Sequence, residues 1–307
     1  MKTRKLLAIC CRSENHNDFQ AIAKRIISKA PEIAVVIKSG FYHPDELEPA
    51  LKNFPLLNLY LVNPPQVIPS RGKTLFVERI DKFEQIKQYS AAGITTPKTI
   101  EYELGQPINK NDWGEYLFMK DKLSSGGRNC FLVPSKYMSN IKSFLDKAQM
   151  PNELLLQEFI YTGENVNHYR VLNFLGRPLC CYKSTNLTNI IFPTSLDDVF
   201  NNHTAKTNYS KDSRKIELSD NLEILKFSEK VFNVFLEKPL QGIDIVNEKV
   251  TKKLFVLEAN LGGNVWVFSH KQSFALDNLG RSALLQQFNA FDVAADVLIK
   301  KTEELAI

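Results

Sequence analysis

Residues Leu254–Phe268 read LFVLEANLGGNVWVF, and a shorter run, Gly242–Val246, reads GIDIV. Both are apolar and rich in β-branched or aromatic residues, the composition of buried strands. Yet one carries Asp244, and the other Glu258 and Asn260. Asn247-Glu248-Lys249 between them is a turn signal, so the runs read as neighbouring strands with Asp244 and Glu258 at the same end of a sheet. Asn260 then stands one strand period from Glu258 on the same face. Two carboxylates and an amide oxygen are hard ligands. They suit magnesium, which takes few protein ligands and completes its shell with water and substrate phosphates. The pair of strands therefore reads as a metal–nucleotide site, although each acid taken alone reads sooner as a strand end in contact with water.

The remaining composition bounds the class. A chain of 307 residues holds a sizeable core and two or three lobes at ~100–150 residues each. Its 44% hydrophobic and 24% charged residues are those of an ordinary soluble enzyme. The net charge of +5 is spread along the chain and fits a small anionic ligand at least as well as nucleic acid, for which a basic stripe with interleaved aromatics is the better sign. Cys10-Cys11 and Cys180-Cys181 lie within apolar strands and form neither a zinc spacing nor a disulfide framework, so a reducing cytoplasm is expected. The apolar part of MKTRKLLAICC is shorter than the ~7–15 residues of a secretory core and reads as a first strand. No run approaches the ~20 residues of a membrane span.

The opening third alternates strand (5–11), helix (18–29), strand (33–37), helix (44–53, with proline in its first turn) and strand (56–63), a pattern that implies a small parallel sheet. Arg12-Ser13-Glu14-Asn15 follows the first strand where a dinucleotide-binding glycine fingerprint would stand. After a short strand (74–77), a helix over 81–92 is closed by Gly93 and followed by Pro97. Strands over 116–120 and 129–133 flank Ser124-Ser125-Gly126-Gly127-Arg128, a helix covers 135–147 and a strand 154–159. A hairpin over 166–174 and 178–183 turns at Leu175-Gly176-Arg177. Residues 184–219 are polar and without periodicity, the mark of a long functional or mobile loop. Helices over 221–236 and 282–301 complete the chain.

Four features stand in order: Lys82 in RIDKFEQ, Lys120 in YLFMKDKLSSGGRN, Gln157-Glu158-Phe159-Ile160 in LLLQEFI, and Asp244 with Glu258 and Asn260. Together they resemble the ATP-grasp superfamily, and within it carboxylate–amine ligases of the ribosomal-S6 glutamate ligase and D-alanine ligase type. The resemblance runs from about 81 to 264. It implies an α/β and α+β architecture, with a small Rossmann-like pre-ATP-grasp domain (1–78) before a two-lobed ATP-grasp domain (79–307). The latter would divide into a lid lobe (about 95–157) and a metal-binding lobe (about 158–307).

The same resemblance assigns roles. Lys82 and Lys120 would reach ATP phosphates, as compact cationic donors do. Ser124, Ser125, Gly126 and Gly127 match the flexible loop over the phosphates, and Arg128 adds charge where it develops in transfer. Gln157, Glu158, Phe159 and Ile160 match the adenine-reading hinge, and Glu164 is the candidate for the ribose. His168-Tyr169-Arg170 departs from the acid-bearing triplet common in relatives, but Arg170 matches its arginine, and Lys183 on the paired strand would face the same space. Asp244, Glu258 and Asn260 match the metal ligands, with Glu258 bridging two magnesium ions; manganese is the substitute metal. Relatives continue Asn-x-Pro-Gly, whereas this chain has Asn260-Leu261-Gly262-Gly263-Asn264, where Asn264 and Trp266 are candidates for the acceptor pocket.

The implied activity is an ADP-forming ligase with ATP and Mg²⁺. A substrate carboxylate takes the γ-phosphoryl group as an acyl phosphate, and an amine (or thiol) then displaces phosphate. The rivals are a kinase on the same fold, a nucleotide-binding regulatory protein without turnover, and a basic RNA-binding module. The expected partners are a small-molecule or peptide carboxylate, an amine acceptor and a second copy of the chain in a homodimer, with no nucleic acid and no membrane.

Overall fold

The computed structural model describes residues 4–40, 46–62, 67–103, 106, 108–122, 130–148, 153–201, 213–270 and 273–307. Three sheets organise them.

The first sheet is parallel, in the order β2-β1-β3-β4, built from β1 (Lys5–Cys11), β2 (Ile33–Ser39), β3 (Leu56–Tyr60) and β4 (Lys73–Phe76). β1 and β3 are buried on nearly every residue, as the unbroken apolar runs predict for strands covered on both faces. Helix α1 (His16–Lys29) seats Phe19, Ile22 and Ile26 on this sheet. The helix expected over 44–53 is corrected to a single 3₁₀ turn, Pro49–Leu51, within its described part. Proline restricts the residue before it, and Glu48 accordingly lies extended at φ −56°, ψ 141°.

Helix α2 (Lys82–Ala91) leads to the second sheet, which is antiparallel in the order β5-β8-β6-β7. Its strands are β5 (Thr99–Tyr102), β6 (Tyr116–Asp121), β7 (Cys130–Pro134) and β8 (Leu154–Glu158), with the short α3 (Lys110–Trp113) before β6. Leu117, Met119, Val133 and Leu156 face helix α4 (Ile141–Ala148), whose Ile141 and Phe144 complete that core. The alternate residues Phe118 and Lys120 therefore point to the opposite face.

The third sheet is antiparallel in the order β11-β10-β9-β12-β13, with β9 (Asn167–Phe174), β10 (Arg177–Asn186), β11 (Arg214–Leu218), β12 (Leu240–Asn247) and β13 (Leu254–Asn260). The segment expected to lack structure over 184–219 is corrected here. β10 runs on to Asn186, α5 covers Leu196–Asn201 and β11 pairs with β10. Val199 and Leu196 reach into the core of the second sheet, and Tyr137 Oη donates to the Thr194 carbonyl at 2.5 Å. Residues 187–201 are thus a strap from the third sheet to the second, anchored by apolar residues too few to show a period.

Helix α6 (Leu222–Phe232) lies between β11 and β12, and α7 (Phe274–Leu279), α8 (Arg281–Gln287) and α9 (Ala290–Leu305) follow β13. The long helix expected over 282–301 is divided between α8 and α9, because Asn289 turns left-handed at φ 52°. The expectation that 254–268 is one strand is also corrected. β13 ends at Asn260, Gly263 turns the chain at φ +84°, and Val265–Phe268 bury themselves outside the sheet, in the core shared with α1 and α9. Among the described residues no helix is long and apolar enough to cross a membrane.

Candidate active site

The register of the third sheet gathers the acids. Asp244 pairs with Glu258 across β12 and β13 and with Arg170 across β12 and β9, while Asn260 pairs with Gly242 two positions on. All of these side chains share one face. Arg170 Nε donates to Asp244 Oδ1 at 2.7 Å, and a terminal guanidinium N–H donates to Oδ2. Burial alone pushes the Asp244 carboxyl up. The Arg170 charge and hydrogen bonds, aided by His168 and Arg214, outweigh it and hold the group below the ordinary carboxylate range. His168 Nε2 lies 3.9 Å from Asp244 Oδ1. Burial nevertheless takes this imidazole down to about 4, so it is neutral near pH 7.

Helix α2 brings its N-terminus to this face. Asp81 caps it, accepting from the Phe83 and Glu84 N–H groups at 2.9 and 3.1 Å, which leaves Lys82 in the first turn with Nζ 3.3 Å from Glu258 Oε2. One turn further on, buried Gln85 donates to the Ile80 carbonyl at 3.0 Å and accepts from the Ala259 N–H at 2.9 Å. That side chain bolts the lysine-bearing helix to the strand bearing Glu258. Asn260 Nδ2 donates to the Gly242 carbonyl at 3.4 Å, so its Oδ1 is the atom left to a ligand.

Of these groups, Asp81, Lys82, Gln85, Arg170, Glu258 and Asn260 line a cavity of about 420 Å³ together with Arg79, Lys122, Gly262 and Asn264. From the second sheet, Lys120 Nζ donates to Gln157 Oε1 at 2.5 Å, and Gln157 Nε2 to Thr99 Oγ1 at 3.1 Å. Cys130, the register partner of Lys120, senses both lobes. Burial raises its thiol pKa, the Lys120 and Lys82 charges pull it down, and Glu258 adds to the rise. Glu158 joins its own N–H and carboxylate to the main chain of Lys98, fixing the connection between the two sheets. Phe159 packs edge-on against Phe118 and against Phe192 of the strap, and Ile160 packs with Val246 and Phe255.

Other sequence candidates fall elsewhere. Ser124, Ser125, Gly126, Gly127 and Arg128 lie outside the described residues. Glu164 is exposed on the loop between β8 and β9, where its carbonyl accepts from the Ile190 N–H at 2.7 Å. Lys183 does not share the space of Arg170. It pairs with Tyr169, one residue out of phase, so it points from the opposite face with Nζ 5.7 Å from the Tyr169 ring. Trp266 is 1% exposed, packs on Phe19 and Phe268, and donates to Asp18 Oδ2 at 2.9 Å. It is a core residue, whereas Asn264 does line the cavity. Sequence reasoning missed Arg79, Gln85 and Lys122. Gln85 left a trace, a polar residue at i+3 from Lys82 on a helix face that packs inward.

A parallel first sheet, followed by two antiparallel lobes that face a cationic and acidic cavity between them, is the ATP-grasp fold. By sequence the chain matches no protein-family model and no curated protein. By structure it is similar to the ATP-grasp ligase PsnB complexed with minimal precursor, at TM-score 0.54 and 11% identity over 97% of this chain and 100% of that one. It is also similar to the D-cycloserine synthetase DcsG, at 0.52 and 11% over 95% and 99%. A third likeness is to a RiPP-associated ATP-grasp ligase from Chryseobacterium gregarium in complex with ADP and a leader and core peptide, at 0.52 and 13% over 97% of each chain.

Proposed function

We propose that the chain is an ATP-dependent, ADP-forming ligase that joins a carboxylate to an amine with Mg²⁺. The observation that carries this reading is the meeting of Lys82, Arg170, Glu258 and Asn260 on one cavity wall, in a fold whose solved examples named above are ligases and a synthetase. Asp244, Glu258 and the Asn260 Oδ1 form a hard oxygen set suited to magnesium, and Arg170 keeps Asp244 ionised for that purpose. Bound there, the metal would neutralise phosphate charge during transfer.

In this reading Lys82 and Lys120 hold phosphate oxygens from the two lobes, and Ile160 and Phe159 supply the apolar seat of the base. The carboxylate takes the γ-phosphoryl group, ADP leaves, and the amine displaces phosphate as the amide forms. Arg170 stands at the cavity wall where the transferred group carries its charge. Closure of the lobes would keep water from the acyl phosphate. The unpaired, buried Cys10, Cys11, Cys180 and Cys181 support a reducing cytoplasmic setting.

Hydroxylamine tests the chemistry. Incubated with ATP, Mg²⁺ and a panel of amino acids and peptides, a ligase yields a hydroxamate in step with ADP. A stable phosphorylated product without hydroxamate would instead mark a kinase.

A further inference from the structure

A second hollow, of about 720 Å³, opens where β6 begins and β8 ends, and it shares no lining residue with the active-site cavity. Tyr116 stands on its wall, whereas Lys120 lies four residues further along β6, about 13 Å away at a strand's rise. The wall is aromatic. Phe192 of the strap sets its ring centroid 4.8 Å from that of Tyr116, 5.9 Å from Phe159 and 6.4 Å from Tyr161. These contacts bring rings from β6, from the segment after β8 and from the strap to one place. Phe192 nevertheless stays 36% exposed, and Ile191 beside it 64%.

The rim is acidic, in a chain whose net charge is +5. Of its three carboxylates, Glu158 accepts from the Lys98 N–H at 3.0 Å, while Asp112 and Glu115 are exposed and form no ion pair among the described residues. The wall already holds one cation against a ring. Lys98 Nζ lies 4.5 Å from the Trp113 centroid and donates to the Asp112 carbonyl at 3.4 Å. Ring faces attract cations, and a planar guanidinium can stack on them while its edge N–H groups meet carboxylates. An adjoining hollow of about 560 Å³ meets the first along Gly114, Glu115 and Tyr116 and continues to Pro134 and Ser135, so the groove suits an extended chain rather than a free ion.

We propose that this groove docks a peptide segment through an arginine side chain, with the guanidinium against Tyr116, Tyr161 and Phe192 and its N–H groups given to Asp112 and Glu115. Ile191 then offers an apolar shoulder to the neighbours of that arginine. The groove lies apart from the nucleotide cavity, so docking goes beyond the ligase reading and does not depend on it.

Calorimetry with the capped peptide Ac-Gly-Leu-Arg-Leu-Gly-NH₂ tests this, beside the same peptide with citrulline or phenylalanine in place of arginine. Citrulline keeps the shape and loses the charge. Wild type is expected to bind the arginine peptide at least about tenfold tighter than either of the others. That binding should weaken as salt rises and stay the same with and without Mg-AMPPNP. The double variant Asp112→Asn/Glu115→Gln changes only exposed side chains, so it keeps the fold, and it should lose about tenfold in affinity for the arginine peptide and little for the citrulline one. Phe192→Ala should weaken the arginine peptide in the same direction. Arginine and citrulline peptides that bind alike, tighter binding of the phenylalanine peptide, no arginine-peptide binding at millimolar concentration, an unaffected double variant, or displacement by Mg-AMPPNP would each overturn the proposal. So would a dimer, seen by ultracentrifugation, that Phe192→Ala dissociates, because a second copy of the chain would then cover the groove.

Discussion

Arg170 and Asp244 face one another across β9 and β12, and the guanidinium grips both oxygens of the carboxylate. The folded pKa of Asp244 lies below its unfolded value of ~3.9, so the pair's contribution is present above that pH and is lost as pH falls through the folded value. Arg170→Gln removes the largest opposing charge and leaves only His168 and Arg214 against burial. The acid limb of a melting-temperature profile should move to higher pH, and neutral-pH stability should fall by about 2–3 kcal/mol, with partial exposure discounting the full cost of a broken buried pair. Adding Asp244→Asn should restore much of the loss. An unchanged acid limb in Arg170→Gln would show that the pair is not what holds Asp244 ionised.

His168 acts in a neighbouring window. Its imidazole is lowered from 6.5 to about 4, chiefly by burial, with Asp244 pulling the other way. Between those values the unfolded chain binds a proton that the folded chain refuses, so stability falls as pH drops from 6.5 toward 4. His168→Gln should flatten the melting-temperature profile across that range. The same slope in the variant would contradict the assignment.

Gln85 is the bolt between the lysine helix and the metal strand, and its Oε1 satisfies the Ala259 N–H next to Glu258. Gln85→Leu keeps the volume but orphans that buried donor, at a cost of about 1–3 kcal/mol. Urea unfolding should show the loss. Hydrogen exchange at Ala259 should quicken more than exchange at the β9–β10 pairing, and uniform protection would argue that the bolt is dispensable.

The sequence made the architecture legible where one period ruled a segment. The strands of the first sheet, α1 and α2 were visible because apolar residues recur on a single face, and the metal strands because Asp244, Glu258 and Asn260 interrupt apolar runs. The errors arose where a long-range contact overrides local pattern. The strap at 190–201 is held by Phe192, Leu196 and Val199 docking on another lobe, a feature no local period encodes. Val265–Phe268 has strand composition, but a left-handed Gly263 wedged against the Leu61 and Val62 carbonyls takes it out of the sheet, where a Cβ would meet those oxygens at 2.8 and 3.0 Å. Lys183 was misplaced by the parity of β10 against β9, which only the bulge between Pro178 and Cys180 and the observed register fix. Arg79 and Lys122 look like any surface cation until the fold puts them on one wall.

Glu258 bears the central claim most directly, because it touches Lys82, pairs with Asp244 and lines the cavity at once. ADP release should be measured with ATP over a panel of amino acids and peptides, with and without Mg²⁺, for wild type and Glu258→Gln. The account predicts Mg²⁺-dependent release stimulated by a carboxylate and an amine together, reduced at least about a hundredfold in Glu258→Gln, the several kcal/mol that a bound cation supplies to phosphoryl transfer. Release that is undiminished in Glu258→Gln, or that needs no divalent cation, would contradict it.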